Sequence, residues 1–185
     1  PVLDAGGEDN QKAYGNSFEW SLRSIFGRIN YDYQGKYLFE ANIRYDGSSR
    51  FAEGNKWGVF PSVSVGWRIS EEAFWEPLKE VVDNLKFRGS WGQLGNQNVM
   101  NANNSAIDPY PFSSNVSLDT KYVFDKTIAS GAAITNMANR KITWETTTST
   151  DIGIDATLFG KLNITADYFY KVTDDILMKL NVPLI

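Results

Sequence analysis

Apolar and polar residues alternate along six stretches of this 185-residue chain, and this pattern limits the possible folds more than any other feature. In the first stretch, Ile25, Ile29 and Tyr31 share one face, whereas Arg28 and Asp32 lie on the other. The pattern predicts an all-β fold with about six antiparallel, up-and-down strands, at about 22–33, 37–46, 58–70, 85–93, 142–159 and 162–177. No position on the apolar faces is charged, although 22% of all residues are.

An uncharged strand face is compatible with two architectures. A β-sandwich buries such a face in its core, and a membrane barrel turns it towards lipid. The connections favour the barrel, because tight turns at 34–36 and 160–161 and a short helix-like segment at 71–84 all fall at one end. Long polar connections at about 47–57 and 94–141 fall at the other. Short periplasmic turns and long extracellular loops are typical of outer-membrane barrels.

Aromatic residues form two bands in this arrangement, as expected at the two interfaces of a bilayer. The band that flanks the compact turns consists of Tyr31, Tyr33, Tyr37 and Trp67. The band towards the long loops consists of Trp91, Trp144, Tyr168 and Tyr170. Large aromatics also fill sandwich cores, so a soluble β-sandwich that binds carbohydrate remains the alternative. Six strands cannot close a lipid-spanning barrel, whose common minimum is about eight. The barrel interpretation therefore requires the chain to be a piece of a longer protein.

Composition narrows the possible functions. The chain has neither Cys nor His, which removes thiolate metal sites, the usual zinc ligand and the usual general base. A net charge of −4 argues against nucleic-acid binding. Asp151 and Asp155 are about 13 Å apart along one strand, which is longer than the carboxylate separations of about 5–9.5 Å in glycosidases. We therefore expect neither an enzyme nor a bound cofactor.

Several ordered motifs give the chain a specific resemblance from about residue 18 onwards. They are GRINY at 27–31, GKY at 35–37, RYDGSSRF at 44–51, WGVFPS at 57–62, GWR at 66–68, LKFRGSWG at 85–92, GNQ at 95–97, WETT at 144–147, DIGID at 151–155, DYFY at 167–170 and DDIL at 174–177. In order and spacing this set resembles the SusC/RagA-type TonB-dependent outer-membrane transporters of Bacteroidetes.

The resemblance implies a place in the wall of a barrel of about 22 strands, the size of plugged outer-membrane transporters. It also implies a plug domain that is absent from this chain, contact with the TonB complex through that missing N-terminal part, and a SusD-like surface lipoprotein as partner. The implied activity is import of oligosaccharides or oligopeptides across the outer membrane, energised through TonB.

Two groups of residues are candidates for functional contacts. The charged side chains of the polar face are expected to face the lumen, where they line the substrate path or contact the plug, or simply pair with one another across strands: Arg28, Asp32, Glu40, Arg44, Arg68, Arg88, Asp151, Asp155 and Asp167. Aromatic residues of the long connection are expected either to contact ligand or to fold the loop and meet the lipoprotein: Tyr110, Phe112, Tyr122 and Phe124.

Overall fold

A computed structural model of the chain describes residues 17–100, 108, 110–114, 116–124, 127–134 and 138–178. Its strands are β1 (Leu22–Tyr33), β2 (Tyr37–Ser48), β3 (Trp57–Arg68), β4 (Val82–Asn96), β5 (Val116–Phe124), β6 (Thr127–Ile134), β7 (Glu145–Leu158) and β8 (Leu162–Asp174). Six of them form one antiparallel sheet in the order β1-β2-β3-β4-β7-β8, and β5 pairs with β6 as a separate hairpin. No helix within these residues is long and apolar enough to cross a membrane.

The six-stranded antiparallel sheet confirms the predicted fold class, but two connections differ from expectation. The segment 71–84 is not one helix: a short 3₁₀ helix at Ile69–Glu71 ends where the segment begins, a second spans Ala73–Leu78, and β4 already begins at Val82. Pro77 lies inside the second of these; because proline lacks an N–H and restricts the residue before it, a longer α-helix is disfavoured there.

The long connection after β4 also contains more regular structure than the sequence indicated. Strand β4 continues to Asn96, where it pairs with Glu145 of β7. Beyond it, β5 and β6 form a two-stranded hairpin that was expected to be loop. The small and polar residues of this hairpin, such as Gly131, Ser117 and Thr120, give only a weak alternating pattern, which explains the missed assignment.

The register of the sheet brings the predicted apolar positions together on one face. Tyr31 of β1 is level with Phe39 of β2 and Val65 of β3, and the same row continues through Gly89 and Ile152 to Tyr168 of β8. Successive residues point to opposite faces, so one residue of slip would exchange the two faces. Antiparallel pairing across five interfaces therefore keeps the central part of this face free of charge; Arg23 of β1 and Asp174 of β8 share its phase only at the long-loop end.

This apolar face is exposed. Ile29 and Ile152 retain 67% and 60% of their accessible surface, and Tyr168 retains 71%. Within the described residues the buried apolar side chains are only Phe51, Phe60, Ile69 and Trp144. A sandwich would bury the face against a second sheet, and soluble monomers rarely expose apolar patches larger than a few hundred Å². The arrangement therefore favours a lipid-facing wall over the soluble sandwich.

The principal buried cluster lies at the long-loop end and consists of Phe51, Phe60 and Trp144. The Trp144 ring centroid is 5.3 Å from each of the two phenylalanine centroids, and its indole Nε1 donates a hydrogen bond of 3.0 Å to the Lys56 carbonyl. Assigning Trp144 to the outward aromatic band is wrong, because only 5% of this residue is exposed. It precedes β7, so strand alternation does not control where its ring points.

We expect Phe51→Ala to destabilise the protein by about 3–5 kcal/mol, because it removes a fully buried ring and leaves a cavity beside Trp144. The matched control is Phe18→Ala, which truncates an exposed phenylalanine and is expected to change stability by no more than about 0.5 kcal/mol. Denaturant unfolding in lipid vesicles measures both. Equal effects of the two substitutions would contradict a core at this end of the sheet.

Candidate functional site

The polar face of the sheet carries all nine charged residues predicted for it, because their strand positions alternate with the apolar ones. Four of the nine meet in one cluster that spans β4, β7 and β8. The Arg88 guanidinium contacts the carboxylates of Asp167 at 2.5 Å, Asp155 at 3.2 Å and Asp151 at 3.7 Å. We call these four residues the Arg88 cluster. The cross-strand pairing that the sequence left open is therefore present.

Gly153 makes the Arg88 cluster possible. It is level with Arg88 on one side and with Asp167 on the other, so it lies directly between these two charged residues on the middle strand. A Cβ built at Gly153 would overlap the Asp167 carboxylate and the Arg88 guanidinium. The missing side chain thus opens the gap across which the arginine reaches the second strand away. The sequence alone does not point to Gly153, because the register decides which residues lie beside it on the neighbouring strands.

Electrostatically, the Arg88 cluster combines one positive and three negative charges. Its side chains are between 28% and 37% exposed, so water screens them, and each pair alone adds little stability. Asp155 accepts a further hydrogen bond of 3.1 Å from Thr165 of β8. The surplus of carboxylates gives this part of the polar face acidic character. Among the described residues, no group of three or more acidic side chains is arranged to hold a metal ion.

Four of the other five predicted residues of the polar face have local partners. Arg28 donates a hydrogen bond of 2.6 Å to Asn42 and lies 3.9 Å from Glu40. Arg44 forms an ion pair of 3.0 Å with Asp46. Asp32 accepts a hydrogen bond of 2.7 Å from the backbone N–H of Gly35, so its carboxylate caps the turn between β1 and β2. Arg68 ends β3 and is level with Lys86 of β4.

A carboxylate that the sequence did not single out organises the compact-turn end. Glu72, which lies between the two 3₁₀ helices, accepts hydrogen bonds of 2.6 Å from the Tyr37 hydroxyl, 3.2 Å from the Trp67 indole and 3.2 Å from the Lys36 ammonium group. These donors, with Tyr37 first, hold the pKa of the Glu72 carboxyl below its usual value. Glu72 thereby anchors the polar atoms of Tyr37 and Trp67, two aromatic residues of the band beside the compact turns. We call Glu72 and its three donors the Glu72 rim.

The loop aromatics proposed as ligand contacts occupy different environments. Tyr110 donates a hydrogen bond of 2.6 Å from its hydroxyl to the Glu19 carbonyl, and its ring meets Phe112 edge to face at 6.5 Å. Phe112 lines a surface groove with Glu53 and Arg140. Tyr122 is an exposed residue of β5. The side chain of Phe124, the last residue of β5, lies outside the described part of the chain.

A buried arginine ties the long loops together. Only 4% of Arg50 is exposed; its guanidinium lies 4.4 Å from the centroid of the Trp20 ring and donates a hydrogen bond of 2.8 Å to Asn98. Backbone bonding between Ser21 and Ser49 brings the same segments together. Arg50 belongs to the RYDGSSRF motif, but the sequence alone gives no reason to place this charged residue in a buried site.

A family model described as "TonB dependent receptor-like, beta-barrel" matches residues 2–184. TonB-dependent receptor P26 of Formosa agariphila is 36% identical over 165 residues, covering 89% of this chain and 16% of the relative. TonB-dependent receptor SusC of Bacteroides thetaiotaomicron is 36% identical over 172 residues, covering 88% and 16%. The chain thus spans about one sixth of the length of these curated relatives.

Solved structures are also similar to this chain. The structure of the RagAB peptide transporter superposes with a TM-score of 0.73 at 25% identity, covering 89% of this chain and 17% of the solved one. The RagAB peptide importer in its "open-open" state gives a TM-score of 0.71 at 26% identity, covering 95% and 18%. The six-stranded sheet is therefore an arrangement already seen as part of larger chains.

We expect Gly153→Ala to destabilise the sheet by about 1–3 kcal/mol, because the new methyl group forces Arg88 and Asp167 apart. Gly27→Ala is the matched control: it adds the same group to β1, where the nearest atom would lie 3.8 Å away. Denaturant unfolding of the full-length protein in lipid vesicles compares the two. A Gly153→Ala protein as stable as the control would show that the Arg88 cluster is dispensable for the fold.

The lowered pKa of Glu72 makes the stability of the rim pH-dependent. A carboxyl whose pKa is lower in the folded state contributes stability above its unfolded value of about 4.3 and loses it as the pH falls through the folded pKa. We expect Glu72→Gln to lower the unfolding midpoint at pH 7 and to match the unsubstituted protein at the acidic end. Exposed Glu76→Gln, outside this hydrogen-bonded group, is the control. A pH-independent deficit of Glu72→Gln would refute the assignment.

Proposed function

The chain belongs to the family of TonB-dependent receptor-like β-barrels, and from this membership we propose that it is part of the wall of an active importer for oligosaccharides or oligopeptides. Family members of the SusC and RagA type are outer-membrane proteins, so this sheet belongs to an outer-membrane barrel. The resemblance noted in the sequence is confirmed. The activity, the substrates and the partners belong to a protein about six times longer than this chain and are part of the proposal.

The observation that carries the proposal is the contrast between the two faces of a single sheet. One face is apolar and exposed, which suits lipid. The other carries charges that remain in contact with water although they pair across strands. A sheet with lipid on one side and water on the other is what the wall of a hydrated barrel requires.

The substrate class and the partners are proposed from the relatives. SusC and RagAB are among the proteins similar to this chain, and RagAB is a peptide transporter, or peptide importer. By analogy, the full-length protein imports an oligosaccharide or an oligopeptide, works with a SusD-like surface lipoprotein, and draws its energy through TonB by way of a plug domain. The relatives are receptors and transporters, so the proposal assigns this segment no catalytic step and no cofactor.

Within this proposal, the charged residues of the polar face line the lumen. The Arg88 cluster presents excess carboxylate to a substrate or to the plug, while the pairs around Arg28 and Arg44 keep the wall hydrated. At the long-loop end, an aromatic ring, Phe112, lines a groove together with an acid, Glu53, and a base, Arg140. Such a groove suits polar, extended substrates of either proposed class.

Uptake by cells tests the proposal. Deleting the gene for the full-length protein is expected to abolish growth on one oligosaccharide or oligopeptide as sole nutrient, and restoring the gene is expected to recover it. Deleting tonB should give the same defect, and the SusD-like lipoprotein should co-purify with the tagged transporter. Growth on the monomeric sugar or amino acid is the control. Uptake that persists without TonB would refute energised import, and purification without a lipoprotein would refute the partner.

A further inference from the structure

Two hairpins of the sheet have turns with the same backbone conformation, but their aromatic rings lie at different positions in the turn. In the β1–β2 turn, Gln34 and Gly35 have φ values of +56° and +66°; in the β7–β8 turn, Phe159 and Gly160 have +53° and +60°. Each turn is closed by a bond between backbone groups three residues apart, 3.0 Å long in the first and 3.1 Å in the second. A carboxylate caps each glycine N–H, from Asp32 in the first turn and from Asp83 in the second.

Turn chemistry does not account for Phe159. A bulky residue with positive φ is an outlier, whereas asparagine and glycine suit this conformation. Packing within the described residues does not account for it either, because 63% of Phe159 is exposed. A strained backbone position and an exposed aromatic ring therefore occur together at the tip of this turn.

The two turns differ in the residues that flank them. Tyr33 and Tyr37 flank the first turn, so its rings stand beside a polar tip. Leu158 and Leu162 flank the second, so its ring stands on the tip itself. The exposed side chain of Val81 extends the apolar surface, and the Val81 carbonyl accepts a 3.0 Å hydrogen bond from the Phe159 backbone.

The offset between the two turns is close in size to the offset that strand tilt produces between hairpins at one depth in a barrel. Tyr33 and Ile154 occupy one row of the sheet; the first turn starts one residue beyond this row, and the second starts five residues beyond it. Strands in a barrel tilt by about 35–45° and lie about 4.8 Å apart. A line at constant depth in the membrane therefore crosses each successive strand about 1.2 residues further along. Four strand spacings separate the hairpins and give a shift of about five residues, close to the observed offset of four.

We propose that Phe159 is a lipid anchor, with its ring inserted at the boundary between headgroups and acyl chains of the leaflet at the short-turn end. The occupant of this exposed apolar tip is membrane phospholipid, because the tip continues the lipid-facing surface through Leu162 and Ile164. Phe159 thereby does for the β7–β8 hairpin what Tyr33 and Tyr37 do for the first. The inference needs the membrane location of the family but not the import activity.

Depth is measured directly with a spin label. A cysteine-free form of the full-length protein, reconstituted in phosphatidylcholine nanodiscs, receives a single nitroxide through Phe159→Cys. Labels at Ile152, on the apolar face, and at Glu76, in the connection between β3 and β4, provide the lipid and water standards. At each position we measure the ratio of collisions with oxygen to collisions with a water-soluble nickel chelate. We expect the ratio at position 159 to exceed the ratio at Glu76 and to approach the ratio at Ile152. A ratio equal to that at Glu76 would overturn the proposal.

A second test measures the unfolding midpoint after substitution of Phe159, for which a purely structural role and lipid anchoring predict changes of opposite sign. Phe159→Asn relieves the backbone strain, so a purely structural role predicts a higher unfolding midpoint in lipid vesicles. Lipid anchoring predicts a lower one. Gln34→Asn makes the same change in the matched turn and is expected to raise the midpoint or leave it unchanged. An unchanged or raised midpoint for Phe159→Asn would overturn the proposal, and uptake assays are not needed to decide it.

Discussion

Hydrogen bonding between neighbouring strands sets the register on which the rest of this structure depends. Five antiparallel interfaces run through the six-stranded sheet, and each keeps the apolar positions of one strand level with those of the next. A slip of one residue at a single interface would turn charged side chains such as Arg88 or Asp167 towards lipid, where an arginine at the midplane costs about 2–4 kcal/mol. The bilayer therefore constrains the register, as a hydrophobic core does in a soluble protein.

The sequence predicted most of the sheet because strand alternation depends only on neighbouring residues. It assigned all nine charged candidates to one face, and the register confirms that assignment. It failed where tertiary contacts decide: Trp144 lies just outside β7 and packs against Phe60, a residue brought near by the fold. The sequence did not indicate the importance of Gly153 and Glu72 for the same reason, because their partners lie on other strands or across a connection. That the charged residues face a lumen stays a prediction.

The Arg88 cluster illustrates how a wall one strand thick can be strengthened without a core. Arg88 of β4 reaches over Gly153 of β7 to Asp167 of β8, so one guanidinium links three successive strands. Hydrogen bonds of the backbone connect only adjacent strands, whereas this contact spans two interfaces. Its charges are water-exposed, so each pair contributes modestly, but the connection limits how far the three strands can move relative to one another.

The two ends of the sheet differ in how far their aromatic rings are buried. At the long-loop end, rings of Phe51, Phe60 and Trp144 are buried and the Arg50 guanidinium lies against Trp20, as expected for a small core surrounded by water. At the short-turn end, Phe159 is exposed on a backbone that favours smaller residues. Water penalises such exposure, whereas the boundary of a bilayer stabilises an aromatic ring. The position of Phe159 is thus consistent with the same constraint that keeps charge off the central part of the apolar face.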